Sequence, residues 1–195
     1  MKKWFTMEGH LYEWLNRIGN LIIISVLFLI GCIPVFTIGT SLISLYYAVA
    51  KSIRCGAGYP AGEFWRSWKR NLWKGILLSV WVLLLLFLLN YRQWPAVAVL
   101  AILLPMYIPA ASRFALPFGR LIELTLVMSV RYFYVTLLLL IGSVAVVLLQ
   151  LFVLPAVCIV LVPGLYVYLT TFLTEKVLRA YTPKAKDGQK QWFDE

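Results

Sequence analysis

Charged residues are scarce in this 195-residue chain: they make up 13% of it, while hydrophobic residues make up 62%. A soluble domain is usually about 25% charged and about 45–50% apolar. A chain with so little polar surface cannot cover a water-facing globule, so most of it is expected to lie in lipid or against other apolar surface. The composition therefore argues against a soluble domain and indicates an integral membrane protein.

Cysteine and histidine are almost absent. The chain has three cysteines, no C-x-x-C pair and a single histidine, His10. This usage excludes a disulfide framework and an ordinary zinc site, and the sequence predicts neither a metal nor a cofactor. The G-x-S-x-G, P-loop and H-E-x-x-H motifs are also missing. No catalytic residue is predicted, and the chain is expected not to be an enzyme.

Acidic residues are confined to predicted interfaces and tails. A membrane enzyme or a proton-coupled pump generally keeps ionisable residues inside its spans, and the uncharged runs of this sequence contain none. Glu123 stands among apolar neighbours and has two interpretations. It either pairs with Arg120, three residues earlier, at the membrane surface, or serves as a coupling carboxylate.

Long uncharged runs dominate the rest of the chain. A helix needs about 20 apolar residues to cross a bilayer. The runs predict an all-α, polytopic membrane protein in which residues 1–180 form one membrane domain and residues 181–195 a polar cytoplasmic tail. Six spans are predicted, at about 14–33, 40–54, 74–91, 95–113, 132–150 and 153–175.

The basic residues distinguish one side of this layout from the other. The chain has 18 Lys and Arg residues, and with six spans all of them except Arg92 fall on the same side of the membrane. The positive-inside rule then places both termini in the cytoplasm. The net charge of +10 is accounted for by topology and by attraction to anionic lipid headgroups, so a nucleic-acid partner is not required.

The segment 62–75, GEFWRSWKRNLWKG, combines three tryptophans with several cations. On a helix extended over 61–76, Trp65, Trp68, Leu72 and Ile76 share one face, and the cations lie opposite or adjacent, with Glu63 among them. This pattern is typical of an interfacial amphipathic helix, and 117–131 is expected to form a second one. Docking of a partner protein is the alternative. The predicted lipid-interface residues are Trp65, Arg66, Trp68, Lys69, Arg70 and Lys74.

Pro34 and Gly39 interrupt the first uncharged run and favour a turn between two helices. Thr37 lies between them with a free hydroxyl. Two interpretations remain open: a turn whose backbone groups are satisfied by Thr37 and Thr40, or a broken-helix solute site formed by Pro34, Thr37 and Gly39.

The first 75 residues resemble the YesL-like family of uncharacterised bacterial membrane proteins. The resemblance lies in a P-x-x-T-x-G turn, in the Tyr46–Ala48 stretch, and in an F-x-x-S-x-K-x-N element ending at Asn71. It implies a multi-pass protein of a Gram-positive-type plasma membrane, encoded near sugar import and glycan-degradation systems. It implies no activity and no catalytic residue.

Two functions are therefore expected from different classes. The first is a non-enzymatic accessory or scaffold for carbohydrate uptake, whose partners are anionic lipids and components of a carbohydrate transporter. The alternative is a small-solute permease or channel, acting as a homo-oligomer.

Overall fold

The computed structural model describes residues 10–91, 94–114, 116–152 and 156–182, and within these ranges all regular structure is helical. The helices are α1 (His10–Gly31), α2 (Ile38–Ala48), α3 (Pro60–Arg70), α4 (Leu72–Asn90), α5 (Trp94–Arg113), α6 (Phe118–Arg131), α7 (Phe133–Phe152) and α8 (Ala156–Tyr181). The all-α prediction is confirmed. The predicted tail lies almost entirely outside the described residues.

The described helices overlap the uncharged runs of the sequence, and the one over the second run is divided. Ile38–Ala48 is α-helical and Val49–Arg54 continues it as a π-helical segment. The segment predicted as one helix over 61–76 is also divided, because the chain leaves helical geometry at Asn71, between α3 and α4. The amide of Asn71 donates to the Ser67 hydroxyl at 3.1 Å, which holds the bend.

The predicted break after α1 is a single 3-10 turn, Val35–Thr37. The Thr37 hydroxyl lies 2.7 Å from the Gly31 carbonyl oxygen and 2.8 Å from that of Pro34. The Gly31 carbonyl, at the end of α1, thereby has a donor in place of a helical one, while the Pro34 carbonyl also accepts from the backbone N–H of Thr37 at 2.9 Å. At the start of α2 the amide of Gly39 donates to the Ser79 hydroxyl at 2.9 Å.

Helix α2 is the centre of the fold. It contacts α1, α3, α4, α5 and α8, and residues from Gly39 through Ile53 are buried with few exceptions. Small and hydroxyl-bearing side chains let the neighbouring helices approach closely. At its start, Gly39 faces Gly75 of α4, and a Cβ added to Gly75 would meet the backbone of Thr40. The helix in the predicted second span is therefore enclosed by protein.

Helix α3 and the start of α4 run antiparallel to α2. Lys51 lies beside Glu63, the Arg70 guanidinium lies 5.1 Å from the Tyr47 ring, and the Thr40 hydroxyl donates to the Leu72 carbonyl at 3.3 Å. As the sequence number rises along one element, it falls along the other. The amphipathic segment is thus packed lengthwise against α2.

Among the described residues, two helices are long and apolar enough to cross a membrane: Leu72–Asn90, with mean hydropathy 2.4, and Phe133–Gln150, with mean hydropathy 2.3. Only 18% of the first and 11% of the second is buried. In a soluble protein such helices would form the core, because apolar side chains left in water lose the free energy of burial. Their outer faces include Leu83, Phe87, Leu138 and Ile141, all exposed.

Candidate functional site

A buried ion pair joins the C-terminal ends of α5 and α8. The Arg113 Nη2 atom lies 2.9 Å from Glu175 Oε2, and the side chains are 3% and 6% exposed. Removing two charges from water costs several kcal/mol per ion, and good geometry with further hydrogen bonds is needed to offset that cost. This pair was missed in the sequence, where Glu175 was placed at an interface or in the tail.

Helix α2 supplies further contacts to the buried carboxylate. The Tyr46 hydroxyl lies 2.6 Å from Thr174 Oγ1 and 3.3 Å from Glu175 Oε1. Thr174 donates its own proton to the Thr170 carbonyl at 2.9 Å. The Tyr46 hydroxyl is therefore the donor to Thr174, and it also lies within reach of the carboxylate. The result is a polar network that ties α2, α5 and α8 together.

A cavity of about 250 Å³ opens beside this network, between α4, α5, α7 and α8. Its walls are mainly aliphatic. The hydroxyl groups in the lining are already committed to backbone carbonyls: Ser143 to Leu140, Tyr166 to Leu139, and Thr170 to Val167. A ligand in the cavity would meet apolar surface, with Tyr46 and Thr174 at the polar end. The lining residues are Tyr46, Leu85, Ala101, Leu104, Pro105, Ile108, Leu139, Leu140, Ser143, Val144, Tyr166, Val167, Thr170 and Thr174.

Proline within α5 adds one backbone feature to the cavity. Pro105 has no N–H, so the Ala101 carbonyl lacks its normal i+4 helical donor. Both residues line the cavity. The Ala101 carbonyl is therefore an acceptor without its usual helical donor, in a helix that forms one wall of the cavity.

A second ion cluster links α3 to the end of α2. Lys51 Nζ lies 2.9 Å from Glu63 Oε2, and Arg66 Nη1 lies 3.3 Å from Glu63 Oε1. Gly58, in the preceding turn, has φ +87°, and a Cβ there would lie 2.9 Å from Glu63 Oε1. The sequence placed Glu63 on the polar face of its helix. In the structure it is buried, because Lys51 reaches it from α2.

The six predicted lipid-interface residues separate into two groups. Four are exposed on α3: Trp65, Arg66, Lys69 and Arg70. Trp68 and Lys74 are half-buried, and Lys74 Nζ donates to the Phe114 carbonyl oxygen at 2.7 Å.

The tryptophans of α3 do not form its buried face. That face consists of Pro60, Glu63, Phe64 and Ser67. Trp65 and Trp68 instead stack on each other with ring centroids 5.1 Å apart, and Lys69 lies 5.8 Å from the Trp65 centroid. Trp65 is 48% exposed. Trp65 and the neighbouring cations thus remain at the surface of the helix, whereas Trp68 packs against the core.

At the predicted turn or solute site, Pro34, Thr37 and Gly39 take the positions that a satisfied turn requires. Thr37 accounts for two carbonyls, as described above, and Gly39 is in contact with α4: an added Cβ would lie 2.9 Å from the Leu78 Cβ. Close packing leaves no room for a solute at Gly39 itself.

Glu123 and Arg120 are both exposed on α6. The three ion pairs formed within the described ranges do not include them, so the predicted pair between these two residues is absent there. Within those same ranges, no three His, Cys, Asp or Glu side chains come together as potential metal ligands.

These features define a class: an all-helical protein with apolar outer helices, a buried central helix and a polar network beside a cavity. Residues 21–92, from the middle of α1 to the end of α4, match the model of a family described as a protein of unknown function, DUF624. The match contains the turn and the α3 element on which the sequence resemblance rests. No curated protein and no solved structure matches the chain.

Proposed function

We propose that this chain is a multi-pass plasma-membrane protein with six spans and cytoplasmic termini, and that it is related to the YesL-like family of bacterial membrane proteins. The observation that carries the proposal is the low burial of α4 and α7, whose apolar outer faces are suited to lipid. The clustering of basic residues supports the orientation.

The packing of α3 sets a condition on this layout. Because α3 lies lengthwise on α2 and exposes Arg66, Lys69 and Arg70, the layout requires that face to lie at the headgroup level. Charges held deeper would cost about 2.5–3.5 kcal/mol each on insertion scales. The stacked tryptophans beside them suit the same level.

Cysteine labelling tests the layout. In a variant with Cys32 and Cys55 and Cys158 replaced by Ser, Lys69→Cys should react with a membrane-impermeant maleimide only after the cells are opened. Tyr91→Cys, at the end of α4, is the matched control and should react in intact cells. Labelling of Lys69→Cys from outside would refute the orientation.

For the biochemical role, we favour a non-enzymatic accessory or scaffold for carbohydrate uptake. The exposed aromatic and cationic face of α3 is a surface for anionic headgroups and for a cytoplasmic partner. The polar groups of the interior support a structural role, because they bind each other across α2, α5 and α8. The carbohydrate assignment rests on the family resemblance and not on the fold.

Purification in mild detergent followed by mass spectrometry tests this role. A reproducible carbohydrate-transporter component should accompany the protein and be lost in Arg66→Gln/Lys69→Gln. The control, Arg120→Gln/Arg131→Gln, removes the same charge from exposed positions of α6 and should retain the partner. If both variants retained the transporter component equally, α3 would not be part of the docking surface.

The cavity favours a second candidate, a small-solute permease or channel acting as a homo-oligomer. If the cavity is part of a pathway, liposomes that contain this protein alone should show solute flux, and Ala101→Phe should reduce it by filling the space. Flux of this kind would replace the accessory role. Its absence across a panel of sugars and small apolar solutes would count against the permease.

A further inference from the structure

Three cationic side chains line a second, smaller cleft at the junction of α3, α4 and α5. Its volume is about 210 Å³. Arg70 and Lys74 enter from the α3–α4 bend, and Arg113 enters from the end of α5. The complete lining is Arg70, Asn71, Lys74, Ala111, Ser112, Arg113 and Phe114.

Neutral groups position two of these cations. Lys74 Nζ donates to the Phe114 carbonyl oxygen at 2.7 Å, and the Arg70 guanidinium lies 5.1 Å from the centroid of the Tyr47 ring. A carbonyl oxygen and an aromatic face orient a cation but do not cancel its charge. The cationic side chains of the cleft are therefore held in position, and the cleft keeps their positive charge.

Within the part of the chain that the structure describes, carboxylates do not balance the charge of Arg70 and Lys74. Of the acidic side chains that the structure describes, Glu175 pairs with Arg113, whereas Glu63 pairs with Lys51 and Arg66. Neither Arg70 nor Lys74 forms an ion pair with a described carboxylate. Arg70 is exposed and Lys74 is half-buried. Like charges brought close together still raise the free energy of the empty site, and a bound anion lowers it.

We propose that this cleft binds a phosphate group. Arginine matches the oxygens of a phosphate through its fork of N–H donors, and lysine adds a point charge. The free Nζ protons of Lys74 and the side chain of Arg70 reach the cleft from α3 and α4, opposite Arg113 on α5. The phosphate belongs either to an anionic lipid headgroup or to a soluble phosphorylated compound, and the same cations recognise both.

This site is independent of a role in carbohydrate uptake. It rests on the proposed membrane location only if the phosphate comes from lipid. A positive result with soluble phosphate would stand even if the six-span layout failed, and the labelling experiment above would stand if the cleft proved empty.

Thermal unfolding of the full-length protein tests the proposal, since a ligand that binds only the folded state raises Tm with its concentration. Inorganic phosphate is titrated in lipid-depleted detergent against chloride of equal ionic strength. In a separate arm, phosphatidylglycerol is compared with phosphatidylcholine in mixed micelles. We expect at least one arm to raise Tm; phosphate alone identifies a soluble ligand, and phosphatidylglycerol alone identifies a headgroup.

The variant Arg70→Gln/Lys74→Gln should weaken the apparent affinity at least ~10-fold, as expected for the loss of two charge-assisted contacts. Arg120→Gln/Arg131→Gln, with the same change in net charge, should respond as the unmodified protein does. If the cleft variant loses helical circular dichroism, Lys74→Arg should retain the response and Lys74→Gln should lose most of it. No response in either arm, or equal responses in cleft and control variants, would overturn the proposal.

Discussion

Replacement of Gly75 by alanine should destabilise the protein, although alanine is the better helix former. Gly75 lies in α4 where it crosses the start of α2, and a Cβ at this position would overlap the backbone nitrogen and Cα of Thr40. Backbone atoms cannot move aside as a flexible side chain can. The two helices would have to separate, which would also disturb the Gly39 contact on the facing helix.

The magnitude follows from two opposing effects. Gly→Ala in a helix interior stabilises by up to about 1 kcal/mol, whereas overpacking of a close contact costs about 1–3 kcal/mol. A net loss of about 1–2 kcal/mol is expected at Gly75. At about 2–4 °C per kcal/mol for a chain of this size, Tm should fall by about 2–8 °C.

The assay is thermal unfolding in mild detergent, followed by circular dichroism at one fixed scan rate because membrane proteins often unfold irreversibly. Gly19→Ala in α1 is the matched control: nothing lies within 4 Å of its added Cβ, so its Tm should stay constant or rise. Thr40→Ser should not rescue Gly75→Ala, since the overlap includes backbone atoms. Equal Tm values for the two alanine variants would refute the close crossing of α2 and α4.

Three other substitutions report on separate features. Arg113→Met should cost about 3–5 kcal/mol by leaving Glu175 buried without its ion-pair partner, and adding Glu175→Met should recover part of the loss in Tm. Ser79→Ala should cost about 1 kcal/mol in the same unfolding assay, because it removes the acceptor of the Gly39 amide near the start of α2. Trp65→Phe should abolish more of the fluorescence quenching by brominated lipids than Trp81→Phe, since Trp65 is 48% exposed and Trp81 8%; the reverse order would place α3 away from lipid.

Helix positions were predictable from the sequence, because uncharged runs and the proline and glycine residues that interrupt them are local features. Pro34 and Gly39 marked the break after α1, and Pro60 occupies the first turn of α3 as expected for a helix start. Local signals also located α6, which begins after Pro117. What these signals could not give is which helix lies at the centre.

The burial of α2 and the Arg113–Glu175 pair depend on contacts between distant parts of the chain. Hydropathy does not distinguish α2 from the outer helices. In the structure, however, its hydroxyl and glycine residues pack against five neighbouring helices. One signal was available: Glu175 follows a helical stretch of apolar and threonine residues, so its carboxylate had to find a partner or reach water. The choice of Arg113 as that partner required the fold.

The central position of α2 has a consequence for biosynthesis. Tyr46 bonds to Thr174, which lies 128 residues further along the chain. At a translation rate of about 5–20 residues per second, roughly 6–26 s separate the synthesis of the two residues. Throughout that interval the nascent chain holds a helix whose final neighbour does not yet exist. Completion of the interior must therefore await the synthesis of α8, and a chain truncated before α8 would display α2 to the quality-control machinery of the cell.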